Sequence, residues 1–313
     1  MTRKVIIDCD PGIDDAVALC LALFDPRLEV VAITATPGNV SAEQASRNVQ
    51  AIVEQLDPPR YPRIGAAVPP DFAPDLDACQ IHGGDGLANA GFVVSTLQNQ
   101  RPSDKLIVDE VRMAPDEVTI VCLGPLTNIA RAFQRDPDLP SLVDRLVIMG
   151  GSVEGIGNVT ACAEFNIYFA PVSARDVFQS FCSKTLVPLD VTTQIVLSLE
   201  MLDELPGDTT RVGTFLRKLL PFAFRAYRQH LGKERIHLHD VVALIATLHP
   251  ELFETTEMLG DVETKGDLTT GMTVFDRRVF PPVQANLEVV TEIDTLAVMD
   301  CLIRGLTYAG RVN

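Results

Sequence analysis

Val5-Ile6-Ile7-Asp8-Cys9-Asp10-Pro11-Gly12-Ile13-Asp14-Asp15 turns from one kind of structure to another within a few residues. Its β-branched, wholly apolar start has no polar alternation, so residues 5–8 read as a strand covered on both faces. Pro11-Gly12 then makes a tight turn, and Asp14 and Asp15 open a helix over residues 14–24, with Ala16, Leu19 and Leu23 on one face. Further strands are expected at 28–34, 118–123, 146–149 and 185–189. Helices are expected at 126–133 and from Ser41 to 56, the latter with Gln44 completing a capping box. Apolar strands separated by helices indicate an α/β fold: a single, open, mostly parallel, Rossmann-like sheet flanked by helices. The second half is more helical, at 209–230, 240–248 and 294–306, with a strand pair at 273–276 and 287–290. Residues 69–77, rich in Pro and Asp, read as a surface loop. With no linker, repeat or biased tract, residues 1–313 are read as one domain.

Composition narrows the function. A formal net charge of -16 disfavours nucleic acid and anionic membranes as partners, since both need a basic face. No apolar run reaches a membrane span, and the N-terminal apolar stretch is too short for a signal peptide. Seven cysteines, odd in number and without a CxxC pair, read as reduced thiols, so a cytoplasmic location is expected.

In open parallel sheets, ligands sit beyond the carboxyl ends of the strands. The first strand leads there to Asp8, Asp10, Asp14 and Asp15, the second to Asn39, and later ones to Leu123-Gly124-Pro125 and to Met149-Gly150-Gly151, followed by Asn158, Glu164 and Asn166. Four carboxylates this close would repel one another, and a helix dipole gives only modest relief. Solvated helix-start acids would explain Asp14 or Asp15, but not Asp10 as well. A cation is the economical explanation, and all-oxygen donors point to Ca²⁺ or Mg²⁺. Cys9, flanked by acids, reads as a packed thiol. His239-Asp240 ahead of an apolar helix would alone be a surface histidine and an N-cap. His82-Gly83-Gly84 would alone be a plain loop, and Asn158 a turn residue.

Together these residues resemble the inosine-uridine preferring nucleoside hydrolase family over essentially the whole chain. The match rests on Asp8-Cys9-Asp10-Pro11-Gly12-Ile13-Asp14-Asp15-Ala16-Val17-Ala18, Gly38-Asn39, Ile81-His82-Gly83 and Gly124-Pro125-Leu126-Thr127-Asn128. It continues in Met149-Gly150-Gly151, Gly157-Asn158, Ala163-Glu164-Phe165-Asn166, His239-Asp240 and Gly271-Met272-Thr273-Val274-Phe275-Asp276. The resemblance implies Ca²⁺-dependent hydrolysis of the N-glycosidic bond of inosine-, uridine- or cytidine-like ribonucleosides, in a homodimer or homotetramer serving nucleoside salvage. It implies Asp10, Asp15, Asp240 and the Leu123 carbonyl as metal ligands, and Asp10 as the base that activates water. It further implies Asp14, Asn39, Met149, Asn158, Glu164 and Asn166 as substrate-binding residues. His82 and His239 would face the nucleobase, with His239 protonating the leaving group near neutral pH. Cys9, Thr193, Ala161 and Ala170 depart from the family pattern. The lack of tryptophan disfavours the branch that stacks purines between indoles. Two alternatives use the same residues. One is a non-catalytic nucleoside or ribose sensor. The other is a phosphohydrolase of the haloacid-dehalogenase type, with a nucleophilic Asp in Asp8-Cys9-Asp10.

Overall fold

A computed structural model describes residues 2–70, 74, 76, 78–95, 100–278 and 283–312, so the expected loop at 69–77 lies partly outside the described residues. The first half runs β1 (Arg3–Cys9), α1 (Ile13–Ala22), β2 (Leu28–Ala35), α2 (Ala42–Leu56), β3 (Arg63–Ala66), α3 (Cys79–His82), β4 (Arg101–Pro102), α4 (Ser103–Met113), β5 (Val118–Cys122), α5 (Thr127–Arg135) and β6 (Arg145–Met149). Then come α6 (Phe165–Phe169), α7 (Pro171–Phe178), β7 (Lys184–Val187), α8 (Leu189–Thr192), β8 (Val196–Leu197), α9 (Arg211–Ala226), β9 (Ile236–His237), α10 (His239–Leu248), β10 (Phe253–Val262), β11 (Thr273–Asp276), β12 (Leu287–Ile293) and α11 (Thr295–Val312).

Ten strands form one sheet in the order β11-β10-β12-β7-β6-β5-β1-β2-β3-β4. From β12 through to β4 every neighbouring pair is parallel, whereas β10 runs antiparallel to both β12 and β11. The chain builds β2, β3 and β4 outward on one side of β1, then returns to lay β5, β6 and β7 on the other. The strand order therefore reverses between β1 and β5, and a crevice opens there beyond their carboxyl ends.

The alternation along β1 sorts its side chains into two cores. Val5, Ile7 and Cys9 pack into the layer that includes α1, α2, α9, α10 and α11, while Ile6 packs into the layer of α4, α5 and α7. Covering both faces is what the unbroken apolar strand requires. Asp8, on the same side as Ile6, is fully buried and its Oδ1 accepts hydrogen bonds from Thr34 Oγ1 at 2.6 Å and Asn128 Nδ2 at 2.8 Å. It thereby ties β1 to β2 and to α5.

Several local expectations change. The strands at 273–276 and 287–290 exist as β11 and β12 but do not pair with each other; each pairs with β10, which lies between them. The strand expected to reach 189 ends at Val187, and Asp190 lies in α8. Ser41 Oγ caps α2 by accepting from Gln44 N at 3.3 Å, but the Gln44 side chain turns to Asn48 Oδ1 instead of closing the box. The helix expected over 209–230 is α-helical only to Ala226, then widens into a π-helical turn, Tyr227–Leu231, ended by Gly232 at φ +65°. None of the cysteines is in a disulfide; Cys9, Cys20 and Cys122 are buried. Among the described residues no helix is long and apolar enough to cross a membrane.

Candidate active site

A cavity of about 580 Å³ opens at the β1/β5 switch point. That is within the range that holds a small ligand, roughly 300–1,000 Å³. Of the residues singled out from the sequence, Asp10, Asp14, Asn39, His82, Leu123, Met149, Asn158, Glu164, Asn166, His239 and Asp240 all line it. Asp15 does not; it is fully buried behind the wall. Asp8 does not line it either, so a phosphohydrolase reading finds the first Asp of its D-x-D committed to Thr34 and Asn128.

Asp10 is held from three sides. Its Oδ2 accepts from Asn39 N at 2.7 Å, and Asn39 Nδ2 returns a bond to Asp10 O at 3.1 Å. Gly38 and Gly124 flank the carboxylate; a Cβ on Gly124 would lie 2.6 Å from Asp10 Oδ1, and one on Gly38 would overlap Oδ2. Only glycine lets the backbone approach this closely. Burial, then the charge of Asp15, holds the Asp10 carboxyl well above the usual carboxylate range.

Asp14, Asp15 and Asp240 bring carboxylate oxygens within 4.8 Å of one another. Asp10 stands beside this trio, not within it. Two such charges repel by about 3–4 kcal/mol at an effective dielectric near 20. The α1 dipole returns only about 1 kcal/mol, so it cannot offset the repulsion. Burial pushes Asp15 up to about 7, reinforced by Asp14. Burial also raises Asp240, with Asp14, Asp15 and Asp10 adding to it. Asp15 Oδ2 accepts from Gly12 N at 2.8 Å, but its buried Oδ1 has no hydrogen-bond partner among the described residues. An unsatisfied buried oxygen within an all-oxygen cluster is what a hard divalent cation would satisfy. Asp14, Asp15 and Asp240 could hold one, with Asp10 and the Leu123 carbonyl alongside. The Leu123 carbonyl already accepts from Asn166 Nδ2 at 2.7 Å, which leaves its second lone pair. Burial, then the charges of Asp15, Asp8, Asp10 and Asp240, raises the Cys9 thiol, so it is packed and un-ionised.

The rest of the lining is different in kind. Glu164 caps α6: Oε1 accepts from Asn166 N at 2.9 Å, and Oε2 from Ile167 N and Gly151 N, each at 3.1 Å. Burial nevertheless lifts it to about 7. Asn158 Oδ1 accepts from Phe165 N, seven residues on, at 2.9 Å, so it ties the loop to the start of α6 and makes no local turn bond through that oxygen. His82 Nδ1 accepts from Ile13 N at 3.0 Å, which leaves the ring proton on Nε2. His239 Nδ1 lies 2.8 Å from Thr192 Oγ1, which fixes the ring plane. The expectation of a near-neutral His239 is not met: burial pushes it down to about 4, so its imidazole is neutral at pH 7.

Three residues of the lining carry no motif of the sequence reading. His237 stacks on His239, with ring centroids 5.4 Å apart and planes at 24°. Lys233 also lines the cavity. Asp190 accepts from Val153 N at 2.7 Å and Glu154 N at 2.9 Å, pinning the loop after β6. One signal was present for His237: the alternation His237-Leu238-His239 places two histidines on one side of extended chain.

The sequence profile described as "Inosine-uridine preferring nucleoside hydrolase" matches residues 5–300. The chain is 37% identical to the pyrimidine-specific ribonucleoside hydrolase RihA of Salmonella paratyphi C, over 98% of this chain and 99% of that one. It is 36% identical to the protein of the same name from Escherichia fergusonii, with the same coverage. Among solved structures, the plant nucleoside hydrolase PpNRh1 superposes with a TM-score of 0.92 at 29% identity, over 98% and 99% of the two chains. A purine-preferring ribonucleoside hydrolase from Gardnerella vaginalis gives 0.91 at 28% identity, over 99% and 100%.

Proposed function

The chain belongs to the inosine-uridine preferring nucleoside hydrolase family and is a ribonucleoside hydrolase, and from that premise we propose that it works with Ca²⁺ and prefers pyrimidine ribonucleosides, releasing ribose and free base. The observation that carries the reading is one cavity lined by a carboxylate cluster with His82 and His239 next to it. The pyrimidine preference is supported by the names of the relatives at 36–37% identity and by the lack of tryptophan for purine stacking.

Asp14, Asp15 and Asp240 would hold the cation, with Asp10 and the Leu123 carbonyl beside them. Bound there, Ca²⁺ supplies an oxygen-coordinating frame for the ribose diol and Lewis-acid polarisation of a water molecule. Asp10 takes the proton of the attacking water as the C1′–N bond breaks through an oxocarbenium-like transition state. Attack without a covalent intermediate inverts the anomeric carbon. The surrounding carboxylates favour the positive charge that develops on the ring. His239, neutral at rest, faces the departing base; negative charge growing there raises the imidazole's affinity for a proton.

Release of reducing sugar from uridine, cytidine, inosine and adenosine, with and without chelator, tests the reading. Uridine turnover should exceed inosine turnover about tenfold or more, and chelation should abolish both. Inosine matching uridine would reject the pyrimidine preference, and full activity in chelator would reject the metal. A second measurement isolates His239. His239→Ala should slow uridine by about a hundredfold, typical of losing an acid catalyst. A riboside with an activated phenolic leaving group should be slowed far less; equal losses would remove His239 from leaving-group chemistry.

A further inference from the structure

The cavity is electrically lopsided. Its lining carries the carboxylates of Asp10, Asp14, Glu164, Asp190 and Asp240, and among the described residues lining it Lys233 is the sole lysine or arginine. Lys233 is exposed at the rim, just past the π-helical turn and Gly232. Its N–H donates to Tyr227 O at 3.2 Å, which folds the segment back over the cavity. Its Nζ lies 3.2 Å from His237 Nε2. An ammonium has only donors, so Nε2 accepts and the His237 proton is on Nδ1. His237 is itself fixed by the antiparallel pairing of β9 with β8 and by its stack on His239. Lys233, His237 and His239 thus form a row leading from the rim to the histidine that faces the leaving group.

We propose that Lys233, with His237 as its positioning residue, is a specificity-determining cation of the base-binding end, selecting nucleobases that carry a carbonyl oxygen distal to the glycosidic bond, as in uracil or hypoxanthine, over those with an amino group there, as in cytosine or adenine. This rests on nucleoside hydrolysis taking place in this cavity. A distal carbonyl accepts the ammonium's hydrogen bond, whereas an exocyclic amino group meets it donor to donor. At the exposed rim the discrimination is the worth of one charge-assisted hydrogen bond that a carbonyl makes and an amino group cannot. The electron pair of the C1′–N bond leaves with the base, while the water's proton goes to Asp10. In uracil part of that negative charge reaches the distal oxygen, so the contact strengthens as the bond breaks and acts on kcat as well as on binding.

The test compares the full-length, Ca²⁺-loaded enzyme with Lys233→Met and Lys233→Arg. Two readouts are used: kcat/KM on uridine and cytidine, and calorimetric binding of free uracil and cytosine. Lys233→Met should lower uridine kcat/KM about tenfold, the loss expected for one charge-assisted hydrogen bond, and cytidine less than twofold. Lys233→Arg should restore most of the uridine rate. Uracil should bind the wild type more tightly than cytosine, and the difference should vanish in Lys233→Met. Equal losses on both nucleosides, or none, overturn the proposal while leaving nucleoside hydrolysis intact. No turnover of any nucleoside, with lysine-dependent uracil binding retained, overturns the hydrolysis reading and keeps the role of Lys233. Neither turnover nor base binding overturns both.

Discussion

Asp10→Asn should lower kcat for uridine about a thousandfold, within the range contributed by a positioned general base, while the protein stays folded. The substitution is nearly isosteric. The new amide oxygen can still accept from Asn39 N, and the room left by Gly38 and Gly124 is unchanged. What is lost is the ability to take a proton and one negative charge beside the cation, so the rates are read at saturating Ca²⁺. Because burial and Asp15 hold the Asp10 carboxyl high, its ionised form costs stability at neutral pH. The amide removes that cost, so without metal the variant should melt no lower than wild type. Steady-state rates and thermal melts on one preparation check both halves. A kcat within tenfold of wild type would take the base role away from Asp10.

The second large effect concerns metal and pH together. Asp15 is pushed up to about 7 and Asp240 is raised with it, so the folded protein binds protons that the unfolded chain has released. For a carboxyl raised in the folded state, the stability is full below the unfolded value, about 4, and is lost as pH rises toward 7. For Asp15 alone the loss is on the order of 4 kcal/mol between those limits. A cation at the cluster replaces the protons. Ca²⁺ should therefore raise the melting temperature by several degrees at pH 8 and by much less at pH 5, where protons compete for the same oxygens. Comparing plus and minus Ca²⁺ at each pH is essential. His239, pushed down to about 4, titrates in the opposite sense and loses stability as pH falls from about 6.5. It is present in both samples and largely cancels. A calcium-induced shift equal at both pH values, or larger at pH 5, would contradict a site built from these acids.

Much of the site was legible because its information is local. The Pro-Gly turn after β1 dictates which acids emerge there, and strand ends after β2, β5 and β6 deliver Asn39, Leu123 and Met149 to the same edge. What was not legible depends on distant partners. β10, Phe253–Val262, is mostly exposed or half-buried and shows no clean alternation; it is a strand because β11 and β12 flank it. Lys233 has no significance along the chain until the π-helical turn and the β8–β9 ribbon bring it to His237. Glu164 shows the remaining difficulty. The resemblance implies substrate binding for it, but Asn166 N and Ile167 N bind it as the cap of α6 and Gly151 N holds it from the loop after β6. The pKa of His239 was out of reach for the same reason, since it is set by burial under elements far away in sequence.

The carboxylate trio also has a history within the folding of each molecule. Asp14 and Asp15 leave the ribosome well before Asp240, which follows only after β2 through β9 have been made. A nascent chain therefore carries mutually repelling acids whose third member has not yet been synthesised. Domains fold as units and distant pairings form slowly, so the cluster can close only once α10 docks against α1. A cation that binds three acids together, and two of them weakly, would then act as a late check on assembly. It would favour chains that have completed the fold, without helping those still on the way.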